Sequence, residues 1–126
     1  MIYGIGTDIV RVARMRKNID EHGEKFAERI LTTHELDAYR KESRKAHFLA
    51  KRFAAKEAAA KAMGIGFTNG LTLRDIGVTH DTAGKPQLEF LGYAAEFTAK
   101  QGICSAYVSL ADEEDHAVAF VTLVTD

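Results

Sequence analysis

The sequence predicts a single α+β domain over residues 1–126, in which a small antiparallel sheet packs against a long central helix and shorter helices. Three observations favour this class. A strand-like segment opens the chain, helical patterns lead up to an alanine-rich segment without helix breakers, and strand patterns separated by turns follow. With 126 residues, 46% of them hydrophobic, the chain can form one core but has no room for separate cofactor and substrate domains.

The N-terminal third predicts one strand followed by short helices. Residues 1–9 open with β-branched and aromatic side chains in loose alternation, which indicates a strand. Apolar side chains at spacings of three and four predict an amphipathic helix over residues 10–21, closed near Gly23. One or two further helical turns are expected over residues 25–31, because two apolar side chains there share one face.

Two further helices are predicted from the signals at their ends. Thr32 and Glu35 have the spacing of a capping box, so a helix is expected from there through Tyr39. The longest predicted helix spans residues 46–63. It is rich in alanine and ends at Gly64, where a C-cap glycine belongs.

The C-terminal half predicts strands with one short helix between them. The predicted strands are residues 71–80, 87–91, 105–111 and 117–124. The turn DTAGKP separates the first two strands, and a helix is expected over residues 92–101. The acidic turn DEEDH joins the last two strands into a hairpin. Cys104, the one cysteine, adjoins an apolar strand and is expected to be a small buried side chain.

The charge distribution limits the kinds of partner that the chain is expected to bind. The net charge is −1 and the pI is about 6.5, which argues against a nucleic-acid-binding module. Residues 40–61 nevertheless carry eight basic side chains against two acidic ones. Such a stretch fits an anionic partner, such as phosphates or an acidic protein surface, or simply a solvated helix face. The absence of a signal-peptide pattern and of ~20 consecutive apolar residues predicts a cytoplasmic protein without a membrane partner.

Two acids stand out as candidate metal ligands. Glu57 lies in a row with Phe53 and Lys61 on the long helix, and alanines flank it. It could form a helical ion pair with Lys61 or take a catalytic or metal-binding role. Asp8 ends the first predicted strand just before a helix, where it could be an N-cap or one half of a site for a hard cation. Mg²⁺ takes one or two carboxylates together with phosphate oxygens and water, so one Asp and one Glu would suit it.

The loop after the long helix offers a weaker signal. Gly64 and Gly66 form a G-x-G pattern at the end of a basic helix, which would let backbone amides approach a phosphate. The same glycines are also typical of a simple helix stop followed by a turn.

Several motifs in the same order resemble those of one family, the holo-[acyl-carrier-protein] synthases, which are the short class of 4′-phosphopantetheinyl transferases. The two most specific are GIGTDIV at 4–10 and RFAAKEAAAKA at 52–62. The supporting matches are FAERIL at 26–31, ELDAY at 35–39, GIG at 64–66, GKP at 84–86 and VSLADE at 108–113. The resemblance covers essentially the whole chain.

The resemblance implies a function. Members of this family transfer the 4′-phosphopantetheine group of coenzyme A to a serine of apo acyl carrier protein, release 3′,5′-ADP and thereby support fatty acid biosynthesis. They depend on Mg²⁺, and the small members are homotrimers with active sites between subunits. Two alternatives remain open from the residues alone, a Mg²⁺-dependent phosphohydrolase and a non-catalytic nucleic-acid-binding module.

The resemblance also implies roles for individual residues. Asp8 and Glu57 match the metal ligands, and with Lys61, which is expected at the attacked phosphate, they form the catalytic set. The positions expected to line the coenzyme cleft are Arg52, Lys56, Gly64, Gly66, Lys85 and Pro86, of which Arg52 and Lys56 would face the nucleotide phosphates. Arg14 and Arg29 match positions expected to grip the acidic carrier protein.

The sequence departs from the wider family at one position. Many phosphopantetheinyl transferases carry histidine in the final hairpin, in a pattern like S-x-S-H, where this chain has Asp112. No phosphate-binding histidine can therefore be assigned there, and Asp112 is given no catalytic role. The general base also stays open between Glu57 and a metal-bound water held by Asp8 or Glu57.

Overall fold

The computed structural model describes residues 1–67 and 70–126, and its elements follow the predicted order. The helices are α1 Val12–His22, α2 Glu24–Ile30, α3 Thr33–Lys41, α4 Lys45–Met63 and α5 Gly92–Lys100. The strands are β1 Ile2–Arg11, β2 Ile76–His80, β3 Pro86–Phe90, β4 Ile103–Asp112 and β5 His116–Thr125. The predicted glycine-rich loop after α4 includes residues 68 and 69, which lie outside the described residues.

The strands form two antiparallel sheets. The larger sheet has the order β1-β5-β4, and β2 pairs with β3 in a separate hairpin. Buried side chains of β5 alternate with exposed ones, so one face of the larger sheet carries the core and packs on α4. This arrangement confirms the predicted α+β class with a long central helix.

The contact between β1 and α4 is unusually close. A Cβ atom at Gly4 would overlap the carbonyl oxygen of Ala62, and one at Gly6 would overlap that of Ala58. Glycine is therefore needed at both positions, because the helix backbone lies directly against the strand. Side chains alternate along a strand, so Asp8 lies on this same face of β1 and meets α4.

Small side chains on the helix allow the same approach from the other side. The alanines of α4 that are at most 3% exposed are Ala50, Ala54, Ala55, Ala58, Ala59, Ala60 and Ala62. Because alanine adds little bulk and has the highest helix propensity, α4 can be both regular and tightly packed.

The predicted helix ends are confirmed. The Thr32 side chain accepts from Glu35 N at 3.2 Å, and the Glu35 carboxylate accepts from Thr32 N at 3.0 Å, which completes the capping box of α3. Gly64 ends α4 in a left-handed conformation with φ of 79°, as expected for a C-cap glycine.

Three local predictions are wrong. The predicted strand over residues 71–80 begins only at Ile76, because residues 73–75 form a 3₁₀ turn in which the Asp75 carboxylate accepts from Thr72 N. The first strand does not end at residue 9, since pairing with β5 extends β1 to Arg11, and Asp8 therefore lies within the strand and is not the N-cap of α1. Cys104 is exposed rather than buried.

Among the described residues, no helix has the length and apolar character needed to cross a membrane.

Candidate active site

Asp8 on β1 and Glu57 on α4 belong to one cluster of charged side chains. Lys61 Nζ lies 3.1 Å from Asp8 Oδ1 and donates a second hydrogen bond to the carbonyl oxygen of Thr7 at 3.0 Å. The Asp8 side chain is only 17% exposed, so this ion pair is partly shielded from water. The two acids, 49 positions apart in sequence, are thus brought to the same junction of strand and helix.

The electrostatics of Glu57 reflect this junction. Burial raises the pKa of Glu57, and the negative charge of Asp8 raises it further, whereas Lys61 and Arg14 act in the opposite direction. A carboxylate whose ionisation is disfavoured by a neighbouring carboxylate is stabilised when a cation lies beside both. Their hard oxygen atoms match the preference of Mg²⁺, so the donor set fits this ion.

Lys61 does not form the simple helical pair considered from the sequence. In residues 1–67 and 70–126, its ammonium group is paired with Asp8 rather than with Glu57. Lys61 remains 56% exposed, so its ammonium group can also reach an anionic ligand placed beside the two acids.

Arg14 lies at the edge of the cluster. Its guanidinium carbon is 5.1 Å from the centre of the Phe53 ring, and its charge lowers the pKa of Glu57. Arg29 is exposed on α2. Both side chains are accessible for contact with a partner.

A cavity of about 340 Å³ lies between α4, the β2–β3 hairpin and the end of β4. Its lining residues are Glu42, Phe48, Lys51, Arg52, His80, Pro86, Leu110 and Asp112. Arg52 stacks over Phe48 with 4.4 Å between its guanidinium carbon and the ring centre. Burial lowers the pKa of His80, and the charges of Arg52 and Lys51 lower it further. Arg52 and Lys51 thus supply positive charge in a lining that also carries the acids Glu42 and Asp112.

Arg52 has unused hydrogen-bonding capacity in this cavity. It is 7% exposed, and its Nε atom has no hydrogen-bond partner within the described residues. The nearest acid, Glu35, lies 3.5 Å away through Oε2. A buried guanidinium group without full partners is suited to an anion with several oxygen atoms, such as a phosphate.

The turn and loop residues predicted to line the coenzyme cleft lie in two separate places. Pro86 lines the cavity, and Lys85 is exposed in the neighbouring turn, where its backbone N–H donates to Asp81. Gly64 and Gly66 are exposed at the end of α4, and, apart from adjacent residues of the chain, no atom of residues 1–67 and 70–126 lies within 4 Å of a Cβ built at either position.

The expectation that Lys56 faces nucleotide phosphates is wrong. Lys56 is 0% exposed, and its ammonium group lies 2.7 Å from Glu35 Oε1 and donates to the carbonyl oxygen of Ile76. Its aliphatic chain and its charge both point into the interior, away from any ligand cavity.

Six of the eight residues that line the cavity were not predicted from the sequence, and they include the ionisable side chains Glu42, Lys51, His80 and Asp112. Asp112, which was given no catalytic role, forms an ion pair with Lys51 at 3.8 Å. Two signals could have pointed to Lys51 and His80. Lys51 directly precedes Arg52, and His80 directly precedes the turn that carries Lys85 and Pro86.

Comparisons with known proteins show which family the chain belongs to. Residues 4–121 match the family model described as the 4′-phosphopantetheinyl transferase superfamily. The chain is 55% identical to a holo-[acyl-carrier-protein] synthase of Halorhodospira halophila over 99% of both chains. The crystal structure of holo-[acyl-carrier-protein] synthase from Neisseria meningitidis is matched with a TM-score of 0.92 at 44% identity, covering 99% of this chain and 100% of that one.

A further matched structure contains a bound ligand. It is a holo-(acyl-carrier-protein) synthase from Bacillus anthracis in complex with CoA (3′,5′-ADP), matched with a TM-score of 0.83 at 37% identity over 100% of this chain and 99% of that one. The chain therefore belongs to the 4′-phosphopantetheinyl transferase superfamily, among the holo-[acyl-carrier-protein] synthases. The family predicted from the motifs is confirmed.

Proposed function

We propose that the protein transfers the 4′-phosphopantetheine group of coenzyme A to a serine of apo acyl carrier protein, in support of fatty acid biosynthesis. In this reaction the serine oxygen bonds to the β-phosphorus, the bond from that phosphorus to the bridging oxygen breaks, and 3′,5′-ADP leaves. The observation that carries the proposal is the junction of Asp8, Glu57 and Lys61 in a chain that also has a cavity lined by Lys51 and Arg52.

Asp8 and Glu57 would hold Mg²⁺. The fit rests on two hard carboxylates on neighbouring elements, with the charge of Asp8 raising the pKa of Glu57. When bound, Mg²⁺ supplies positive charge that offsets the negative charge of the pyrophosphate oxygens.

The side chains of the protein bind and orient the reactants. Lys61 stabilises the oxygens of the phosphoryl group under attack, because its exposed ammonium group lies next to Asp8. Arg52 and the cavity bind phosphates of the nucleotide half, and Pro86 forms part of the wall. Two acceptors for the serine proton stay open, the Glu57 carboxylate and a water held beside the two acids.

The exposed face of the larger sheet supports assembly into a homotrimer. Its large apolar side chains, between 37% and 64% exposed, are Ile5, Ile9, Tyr107, Val118 and Phe120. Ile9 pairs with Val118 across β1 and β5, so these side chains form a continuous apolar surface on the face opposite α4. Burying this surface between copies would favour association, with active sites at the subunit boundaries. Light scattering should give the mass of three chains, and a monomer would contradict the trimer.

Arg14 and Arg29 would contact the carrier protein. Both are accessible, and Arg14 lies beside the acidic junction where the carrier serine must arrive. Carrier proteins of this type are acidic, so arginines at the rim would speed their encounter with the enzyme, which we expect to act in the cytoplasm.

The proposed reaction can be tested by mass spectrometry of the carrier protein. The chain is mixed with apo acyl carrier protein, coenzyme A and Mg²⁺, and the carrier should gain one phosphopantetheine group, with the gain abolished by EDTA. Coenzyme A cleavage without carrier modification would indicate a phosphohydrolase instead. An unmodified carrier and intact coenzyme A would contradict transfer altogether.

A further inference from the structure

Glu35 lies where α3, α4 and β2 meet, and it is 1% exposed. Its Oε1 atom accepts from Thr32 N at 3.0 Å and from Lys56 Nζ at 2.7 Å. Its Oε2 atom accepts from Val78 N at 2.9 Å and lies 3.5 Å from Arg52 Nε. One buried carboxylate thus connects a helix cap, a strand and two cations of the central helix.

The contact with Arg52 links the Glu35 carboxylate to the cavity. Arg52 Nε has no hydrogen-bond partner in the described part of the chain, so its location depends on Glu35 and on stacking over Phe48. Lys56 supplies a second positive charge to Glu35 and occupies its other oxygen. As a result, the Glu35 oxygen that remains faces Arg52 and Val78.

The same pair also fixes the second wall of the cavity. Val78 N donates to Glu35 of α3, and the carbonyl oxygen of Ile76 accepts from Lys56 of α4, so the two contacts hold β2 against both helices. The end of β2 is His80, which pairs with Pro86 of β3, and both of these residues line the cavity.

We propose that Glu35 and Lys56 are positioning residues for coenzyme A, which hold Arg52 and the β2–β3 hairpin on opposite sides of the nucleotide-binding cavity. This inference rests on the proposed function, because it takes the ligand of the cavity to be the nucleotide half of coenzyme A. Neither residue touches the ligand. Their effect is on the affinity for coenzyme A, whereas carrier-protein binding and the phosphoryl step take place at the junction of Asp8, Glu57 and Lys61.

The test uses a double variant that neutralises the buried ion pair of Glu35 and Lys56, namely Glu35→Gln with Lys56→Met. Removing one partner alone would leave an unpaired buried charge, whereas neutralising both is tolerated far better. The matched control is Glu24→Gln with Arg40→Met, which removes an exposed pair with a 3.0 Å contact between α2 and α3 that does not line the cavity.

The measurements are the equilibrium Kd for 3′,5′-ADP, KM for each substrate, kcat at saturating coenzyme A, and the melting temperature. In the double variant, Kd for 3′,5′-ADP and KM for coenzyme A should each rise roughly tenfold, the scale of a lost hydrogen bond to a charged group. KM for the carrier protein and kcat should stay unchanged. In the control variant, Kd for 3′,5′-ADP, both KM values and kcat should all stay unchanged. A lower melting temperature with unchanged Kd for 3′,5′-ADP would show a purely structural role and overturn the proposal.

Two further variants sharpen the result. If Glu35 acts through Arg52, adding the double change to Arg52→Met should raise Kd for 3′,5′-ADP much less than it does in the wild type, whereas additive effects would contradict this route. If the double variant does not fold, Glu35→Asp takes its place, because it keeps the charge and shortens the reach. Wild-type affinity in Glu35→Asp would then overturn the proposal. Failure of the wild type itself to bind 3′,5′-ADP would instead count against the proposed function.

Discussion

Lys61 Nζ of α4 lies 3.1 Å from Asp8 Oδ1 of β1, so a lysine on the central helix neutralises an acid on the first strand. Glu57, one helical turn before Lys61, carries a raised pKa because of burial and because of the same Asp8. Lys61 pairs with Asp8 and its charge lowers the pKa of Glu57, so the three groups form one electrostatic unit. Substituting any one of them should therefore change the behaviour of the remaining pair.

Lys61→Met should reduce kcat by about 10²-fold, the scale seen when one stabilising donor is removed from a charged transition state. KM for coenzyme A should change less, because Arg52 and the cavity still bind the nucleotide. Steady-state kinetics with apo carrier protein would measure both. Lys100→Met, an exposed lysine on α5, is the matched control. A Lys61→Met enzyme with wild-type kcat would remove Lys61 from the chemical step.

Gly6→Ala should destabilise the fold by about 1–3 kcal/mol, as expected for overpacking of a tight core. The added Cβ atom would overlap the carbonyl oxygen of Ala58, so β1 and α4 would have to separate. Urea unfolding gives the free energy directly. Gly66→Ala is the comparison, since none of the non-adjacent residues that the structure describes has an atom within 4 Å of its added Cβ, and it should leave stability nearly unchanged. Equal stability of the two variants would contradict the close strand–helix contact.

The affinity for 3′,5′-ADP should depend on the protonation of His80. Burial, Arg52 and Lys51 lower the pKa of His80, and a bound anion offsets those positive charges and raises it. Binding is then linked to proton uptake, so affinity rises as the pH falls through the histidine range, by at most about tenfold per pH unit for one proton.

His80→Gln isolates this effect. The phosphates of the ligand titrate equally in both proteins, so the difference between the two pH profiles of Kd reports His80 alone. Parallel profiles for the wild type and His80→Gln would show that His80 does not respond to the ligand.

Arg14→Ala should raise KM for the carrier protein, roughly tenfold at low ionic strength, and leave KM for coenzyme A nearly unchanged. The effect should shrink as salt is added, because exposed charges are screened within a Debye length. Kinetics at two salt concentrations, with exposed Lys100→Ala as the control, would measure it. Equal changes in KM for both substrates would count against a docking role for Arg14.

Local signals in the sequence were sufficient to predict most of the fold. The capping box at Thr32 and Glu35 and the glycine after α4 mark helix ends through contacts between near neighbours in sequence. The length of β1 was less predictable. Its last residues are held by pairing with β5 more than a hundred positions away, so nothing near Asp8 indicates that the strand continues.

The roles within α4 could be predicted only in part. Alanines lie on most sides of this helix, so apolar periodicity does not distinguish which lysine faces the core. Lys56 proved to be buried against Glu35, whereas Lys61 reached Asp8. Glu35 itself was interpreted only as a cap, because its contacts with Lys56, Arg52 and Val78 all come from distant parts of the chain.

The proposed mechanism of transfer requires that Asp8 and Glu57 hold one divalent cation together. The most direct measurement is Mn²⁺ binding in the presence of coenzyme A, followed by electron paramagnetic resonance, in the wild type and in Asp8→Asn, Glu57→Gln and the exposed control Glu96→Gln. We expect the wild type and the control to bind one ion, and each of the other two variants to bind it at least about tenfold more weakly while staying folded. Unchanged Mn²⁺ affinity in Asp8→Asn or Glu57→Gln would contradict the shared site.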